Sequence, residues 1–125
     1  MLLHEEITDV TLKCFYDVYN ELGYGFLETV YENALAIEIR NAGLSCLQQF
    51  SIPVYFKDHI VGNYFADLFV ADKVLIELKA AESICEEHEL QLLNYLKATN
   101  IEVGLLLNFG KKPQFKRKVF SNNYK

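Results

Sequence analysis

The chain has 125 residues, a formal net charge of −5, a hydrophobic fraction of 51% and three cysteines. That is enough apolar material for a single domain over 1–125 to build a core without disulfide or metal staples. Cys14, Cys46 and Cys85 form no CxxC pair, which argues against a zinc ribbon or redox motif and for reduced, mostly buried thiols in a cytoplasmic protein. The acidic average argues against broad non-specific nucleic-acid binding, no apolar run is long enough to span a bilayer, and Glu5 and Glu6 speak against a secretory leader.

Helical spacing of Ile7, Val10, Cys14, Val18 and Leu22 predicts a helix over 3–21, which Gly23-Tyr24-Gly25 breaks. A second helix is predicted over 27–42, with Leu27, Val30, Tyr31, Ala34 and Leu35 on a shared face and Gly43 as its stop. From Leu47 to Phe56 the pattern is extended, and Pro53 marks an edge strand or an irregularity. A turn at 57–59 leads to strands over 60–70 and 74–80. A helix follows over 86–99, with Leu90, Leu93 and Leu96 expected to face inward. The run 101–109 reads as a buried central strand, and "FKRKVF" as a last edge strand. The order α-α-β-β-β-α-β(-β) describes one α/β domain around a mixed β-sheet flanked by helices. Residues 111–125 carry six basic side chains and no acid. On charge alone this reads as a solvated terminus.

The hairpin over 66–80 is apolar except for Asp67, Glu77 and Lys79. Side chains alternate along a strand, so Glu77 and Lys79 share a face. If the loop is Ala71-Asp72-Lys73, Asp67 lies opposite Glu77, while Ala66, Leu68 and Val70 meet Leu78, Ile76 and Val74 on the other face. A slip of one residue would separate the acids and mix the faces. Two opposed carboxylates repel each other and need compensation. Lys79 can supply it as a structural ion pair. A divalent metal can supply it too, with Lys79 beside it orienting water or stabilising charge. Three charges on a half-exposed sheet face is the simpler arrangement, and the residues alone leave these alternatives open.

The pattern Asp67-x9-Glu77-Leu78-Lys79 on a hairpin, between helices, resembles the PD-(D/E)xK nuclease superfamily, with Ala66 in place of the proline. Gly25-x2-Glu28-x2-Tyr31 is similar to the signature of the GxxExxY proteins grouped with it, and the likeness extends through "IELKA", "HELQLLNYLKA" and "VGLLLNFG". Gln91-x3-Tyr95 resembles the QxxxY motif of RecB-like nucleases.

The resemblance implies a restriction-endonuclease-like core and a Mg²⁺- or Mn²⁺-dependent hydrolysis of nucleic-acid phosphodiesters, with DNA the expected substrate. Asp67, Glu77 and the carbonyl of Leu78 would hold the metal. Lys79 would act on the attacking water, Glu28 would complete the acidic pocket, and Gln91 would position Lys79 or the water. Tyr95, Lys116 and Arg117 would contact the substrate backbone. The alternative is a non-catalytic nucleic-acid-binding or protein-interaction module on the same fold. A protein partner or homodimer is compatible with either, and no membrane association is expected.

On the residues alone, Glu28 is a first-turn acid favoured by the helix dipole and Tyr31 a core residue. The resemblance moves Glu28 to the site and leaves Tyr31 in packing. His88 falls on the stripe of Gln91 and Tyr95 and can brace the site's edge, whereas His4 and His59 read as surface residues. Asn108 reads as a turn-forming residue at a strand end.

Overall fold

The two N-terminal apolar stripes close on one face of a five-stranded sheet, and the third helix closes the other. The computed structural model describes residues 2–125. Its elements are α1 (Glu5–Leu22), α2 (Glu28–Asn41), β1 (Cys46–Phe56), β2 (His59–Val70), β3 (Val74–Lys79), α3 (Glu86–Lys97), β4 (Val103–Phe109) and β5 (Pro113–Val119), followed by a 3₁₀ turn at Asn122–Tyr124. The strands lie in the order β1-β2-β3-β4-β5. β3 and β4 run parallel, as a crossover through α3 requires, and the other neighbours are antiparallel. The α/β order is the expected one, including the final strand.

Phe15 and Val18 of α1 and Tyr31, Leu35 and Ile39 of α2 pack on Leu68, Val70, Val74, Ile76, Leu105 and Leu107. On the opposite face, Leu92, Tyr95 and Leu96 of α3 cover Phe69, Leu75 and Leu106. Strands β3 and β4 are therefore buried on both sides, which explains their unbroken apolar runs.

The structure corrects the expected helix faces in two places. Leu27 and Val30 are exposed, because Leu27 is the N-cap in extended geometry and the buried stripe of α2 is Tyr31, Glu32, Leu35, Ala36 and Ile39. In α3, Leu90 is exposed and the inward stripe is Leu92, Tyr95 and Leu96, so the tyrosine takes a core position.

The basic C-terminal segment is not a solvated tail. Residues 113–119 pair along the whole of β4. Lys118 bridges to Glu89 of α3 at 2.7 Å. The Lys125 ammonium donates to the carbonyls of Thr99 and Ile101 at 2.9 and 2.6 Å. Exposed lysines on an outermost strand discourage further pairing, so a basic run is compatible with a sheet edge. Pro53 lies on the other edge, in β1, as expected.

The loop between α1 and α2 needs Gly23 and Gly25, whose φ values are 69° and 109°. The Tyr31 hydroxyl staples this loop: it donates to the Gly23 carbonyl at 2.7 Å and accepts from the Phe26 N–H at 3.2 Å. Its ring stacks on Phe109 with centroids 4.3 Å apart. Tyr31 is thus a packing residue.

Candidate active site

The β2–β3 ladder pairs Val70 with Val74, Phe69 with Leu75 and Leu68 with Ile76. The loop is Ala71-Asp72-Lys73, closed by the Lys73 N–H on the Val70 carbonyl at 3.0 Å. This register brings Asp67 to Glu77, and there the regular ladder stops. The carboxylates take over the backbone hydrogen bonds: the Asp67 N–H donates to Glu77 Oε1 at 3.0 Å, and the Leu78 N–H donates to Asp67 Oδ2 at 2.7 Å. Beyond this point the expected face is corrected. Ala66 belongs to the α3-side core, whereas Leu68, two residues on, belongs to the α1/α2 side. Strand β2 turns over at Asp67.

The edge strand β1 answers this turn. Gln48 is opposite Leu68 and Phe50 opposite Ala66, so Gln49 sits level with Asp67, and it adopts a left-handed φ of 54°. In a regular strand consecutive side chains point to opposite faces. Here both Gln48 and Gln49 reach Glu32, donating to its two oxygens at 2.8 and 2.7 Å. Gln49 Nε2 also lies 3.3 Å from Asp67 Oδ1. Glu32, on α2 one turn beyond Glu28, is only 7% exposed. Neither Glu32 nor Gln49 was among the expected site residues. The available signals were the same-face spacing of Glu28 and Glu32 and a Gln-Gln pair in an otherwise apolar strand.

Glu77 is 4% exposed. Burial, and then the charge of Asp67, push its carboxyl up to about 8; the Asp67 N–H and Lys79 oppose this, and Glu28 adds to it. Burial also raises Asp67, with help from Glu32 and Glu28, against the Leu78 N–H and Gln49. Burial and the two carboxylates push the Tyr95 hydroxyl up to about 12. The ion pairs among the described residues are Lys13–Asp17 and Lys118–Glu89. Lys79 is therefore not a direct ion-pair partner of either acid, and the purely structural ion-pair arrangement is not the one adopted.

The other expected site residues differ in how they stand to this pair. Glu28 is exposed in the first turn of α2. Leu78 places its side chain in the α1/α2 core and its N–H on Asp67. Gln91 and Tyr95 line a groove between α3 and the β1–β2 hairpin. Lys116 is paired with Leu106, whose side chain packs on the α3 side, whereas Arg117 is the next residue along and donates to the Leu3 carbonyl near α1. Consecutive strand residues point oppositely, so Lys116 and Arg117 do not form one contact strip, and β5 lies two strands from β3.

His88 accepts from the Cys85 N–H at 3.4 Å, capping α3. Asn108 is not a turn residue: it is fully buried within β4, level with Lys79. Its side chain accepts from the Ala81 N–H at 2.9 Å and donates to the Ala81 carbonyl at 3.0 Å. Gly110 lies against the same carbonyl, and a Cβ there would collide with it.

Among the described residues, no three His, Cys, Asp or Glu side chains converge as a ready-made metal cage. The chemistry of the donors nonetheless fits a hard divalent cation. Buried Glu77 and half-buried Asp67 lie side by side with no cation in direct contact, and Mg²⁺ commonly uses one or two carboxylates with water and substrate phosphate completing its shell.

A mixed five-stranded sheet covered by helices on both faces, with an Asp-x9-Glu-x-Lys hairpin at its centre, defines a restriction-endonuclease-like α/β protein. Residues 5–118 match the PD-(D/E)XK nuclease superfamily, and the chain belongs to it. Nucleases of this superfamily generally use divalent metals. No curated protein matches the chain. Among solved structures, the crystal structure of SSO0001 is similar over 92% of this chain, at 14% identity and a TM-score of 0.46, and the chain spans 66% of that protein. Among the described residues, no helix is long and apolar enough to cross a membrane.

Proposed function

We propose that this chain is a metal-dependent nuclease of the GxxExxY type that hydrolyses phosphodiester bonds, with DNA as substrate. The observation that carries this reading is the acid pair: buried Glu77 and half-buried Asp67 interrupt the β2–β3 ladder with no cation in direct contact. Asp67, Glu77 and the Leu78 carbonyl would hold Mg²⁺ or Mn²⁺, which when bound supplies Lewis acidity to the phosphodiester. Lys79, at the end of the same strand, orients the attacking water and offsets developing charge. Glu28 adds negative charge that both carboxylates feel. Gln91 and Tyr95 approach from α3, Gln91 to position water or Lys79 and Tyr95 to meet the substrate backbone. Of the two basic residues expected at the substrate, Lys116 lies with Lys118 on the α3 face of β5 and stays with this reading, and Arg117 does not. The Gly25-x2-Glu28-x2-Tyr31 signature supports the narrower family, with Tyr31 fastening the loop that precedes Glu28.

The test is a calorimetric titration of Mn²⁺ and Mg²⁺ into the purified chain, with Asp67→Ala alongside. Binding that disappears in the variant supports a metal at the hairpin. Binding that persists unchanged would move the metal elsewhere and end the reading.

One observation favours a second reading, a nucleic-acid-binding module without catalysis. Both Asp67 oxygens already accept hydrogen bonds, from the Leu78 N–H and from Gln49. DNA binding without cleavage, equal in the wild type and Lys79→Ala, would support it.

A further inference from the structure

Strand β2 pairs with β3 only over Leu68–Val70, but with β1 along its whole length. From Ala66 outward, β1 and β2 therefore continue as a two-stranded arm with no third strand beside it. The arm leans over α3 and leaves a groove of about 740 Å³, lined by Val54, Tyr55 and Tyr64 on one side and Leu90, Gln91 and Tyr95 on the other. Its inner end is closed by buried Tyr95, whose hydroxyl feels the charges of Glu77 and Asp67. The groove lies along the arm beyond the point where β2 and β3 part, and neither acid is in its lining.

The geometry points to this groove as the binding site of an unpaired nucleic-acid strand. Tyr55 and Tyr64 are 59% and 51% exposed, and the Tyr64 and Tyr95 rings lie 5.8 Å apart at a tilt of 43°. Aromatic rings take the faces of unstacked bases with little regard to sequence. A duplex hides those faces, while its phosphates, like those of a single strand, are captured by lysines and arginines. The groove offers one lysine, Lys97, against one acid, Glu87, in a chain of net charge −5. Charge therefore selects neither form, and it is the exposed rings that favour a strand whose bases are free to stack over a double helix. The assignment rests on the nuclease reading for the cleavage step at the acid pair, but not for the binding itself.

The test uses the full chain in metal-free buffer with a labelled oligothymidylate of about 12 nucleotides and a duplex of the same length. Fluorescence anisotropy should show the single strand bound at least roughly tenfold more tightly than the duplex, and Tyr55→Ala and Tyr64→Ala should each lose roughly tenfold. Tyr55 belongs to neither core cluster, so Tyr55→Ala carries the test even where Tyr64→Ala disturbs Tyr95. Equal affinity for both oligonucleotides, or tyrosine variants that bind unchanged, would overturn the assignment. So would a chain that binds neither, including one that is dimeric in solution and that Tyr55→Ala makes monomeric; the groove would then serve a second copy. Single-strand binding without Asp67-dependent metal uptake would leave the groove standing and remove the nuclease reading. Metal uptake without strand binding would do the reverse.

Discussion

Gln49 lies level with Asp67 in a left-handed backbone conformation, and its amide bridges from Asp67 Oδ1 at 3.3 Å to Glu32 at 2.7 Å. A non-glycine residue with φ of 54° inside a strand is uncommon and persists where its surroundings demand it. The bridge orients one oxygen of Asp67 while buried Glu32 anchors the amide. Partners of this kind typically change metal affinity by roughly 10–100-fold when removed. Gln49→Ala is expected to weaken Mn²⁺ binding by that order in a calorimetric titration, while Gln48→Ala, which touches Glu32 but not Asp67, should have a smaller effect. Equal affinities in wild type and Gln49→Ala would show that the bridge serves the fold alone.

The metal-free protein should be less stable in alkali because of Glu77. Its folded carboxyl is raised from an ordinary value of 4.5 to about 8, so the native state holds this proton more tightly than the unfolded chain does. The resulting stabilisation is fully present below 4.5 and is lost as pH rises through about 8. Thermal unfolding at pH 6 and pH 9 should show a larger fall in the wild type than in Glu77→Gln, which keeps a neutral side chain throughout. Metal binding at the pair needs the carboxylate, so Mn²⁺ uptake at pH 7 should release close to one proton. Titrations in buffers of different ionisation enthalpy measure that number. Zero proton release would place the bound metal away from Glu77.

The β2–β3 register is legible in the sequence because two signals agree: a three-residue loop and the facing sets Leu68–Ile76 and Val70–Val74. That agreement brings Asp67 to Glu77. The reversal of β2 at Asp67 is not legible. It depends on the φ of Gln49 across the ladder, and glutamine has no intrinsic preference for that conformation. Glu32 is hidden for a related reason: its burial needs two glutamines on another strand to satisfy its oxygens. The core position of Tyr95 is not legible, because its hydroxyl is polar although most of its surface is an apolar ring. The basic edge strand β5 is masked by its charge, since a run of lysines and arginine looks like a tail until β4 is there to pair with it.

Asn108 fixes the exit of β3. Its side chain makes two hydrogen bonds to the backbone of Ala81, two residues beyond Lys79, and stands level with Lys79 in the parallel ladder. Replacing it by leucine would leave the N–H and carbonyl of Ala81 without these partners in a part-buried position. At about 1–3 kcal/mol for each unsatisfied group, the expected loss is roughly 2–6 kcal/mol in urea unfolding. Gly110→Ala should also destabilise, because its Cβ would run into the Ala81 carbonyl. If Asn108→Leu unfolds within about 0.5 kcal/mol of the wild type, the clamp is dispensable.

Tyr31 separates packing from chemistry within the Gly25-x2-Glu28-x2-Tyr31 signature. Its ring is fully buried against Phe109, and its hydroxyl is used on the Gly23 carbonyl and the Phe26 N–H, away from Asp67 and Glu77. Tyr31→Phe keeps the ring and deletes only the hydroxyl. Two hydrogen bonds at about 1 kcal/mol each set the expected loss of stability near 2 kcal/mol. Metal affinity should stay within about twofold, because neither carboxylate contacts the hydroxyl. Glu28→Gln should show the opposite profile. Its side chain is exposed and makes no hydrogen bond within the described residues, so stability should scarcely change, while removal of a negative charge felt by both acids should weaken Mn²⁺ binding. A Tyr31→Phe chain that is as stable as the wild type but binds the metal poorly would reverse these roles and make the tyrosine part of the site.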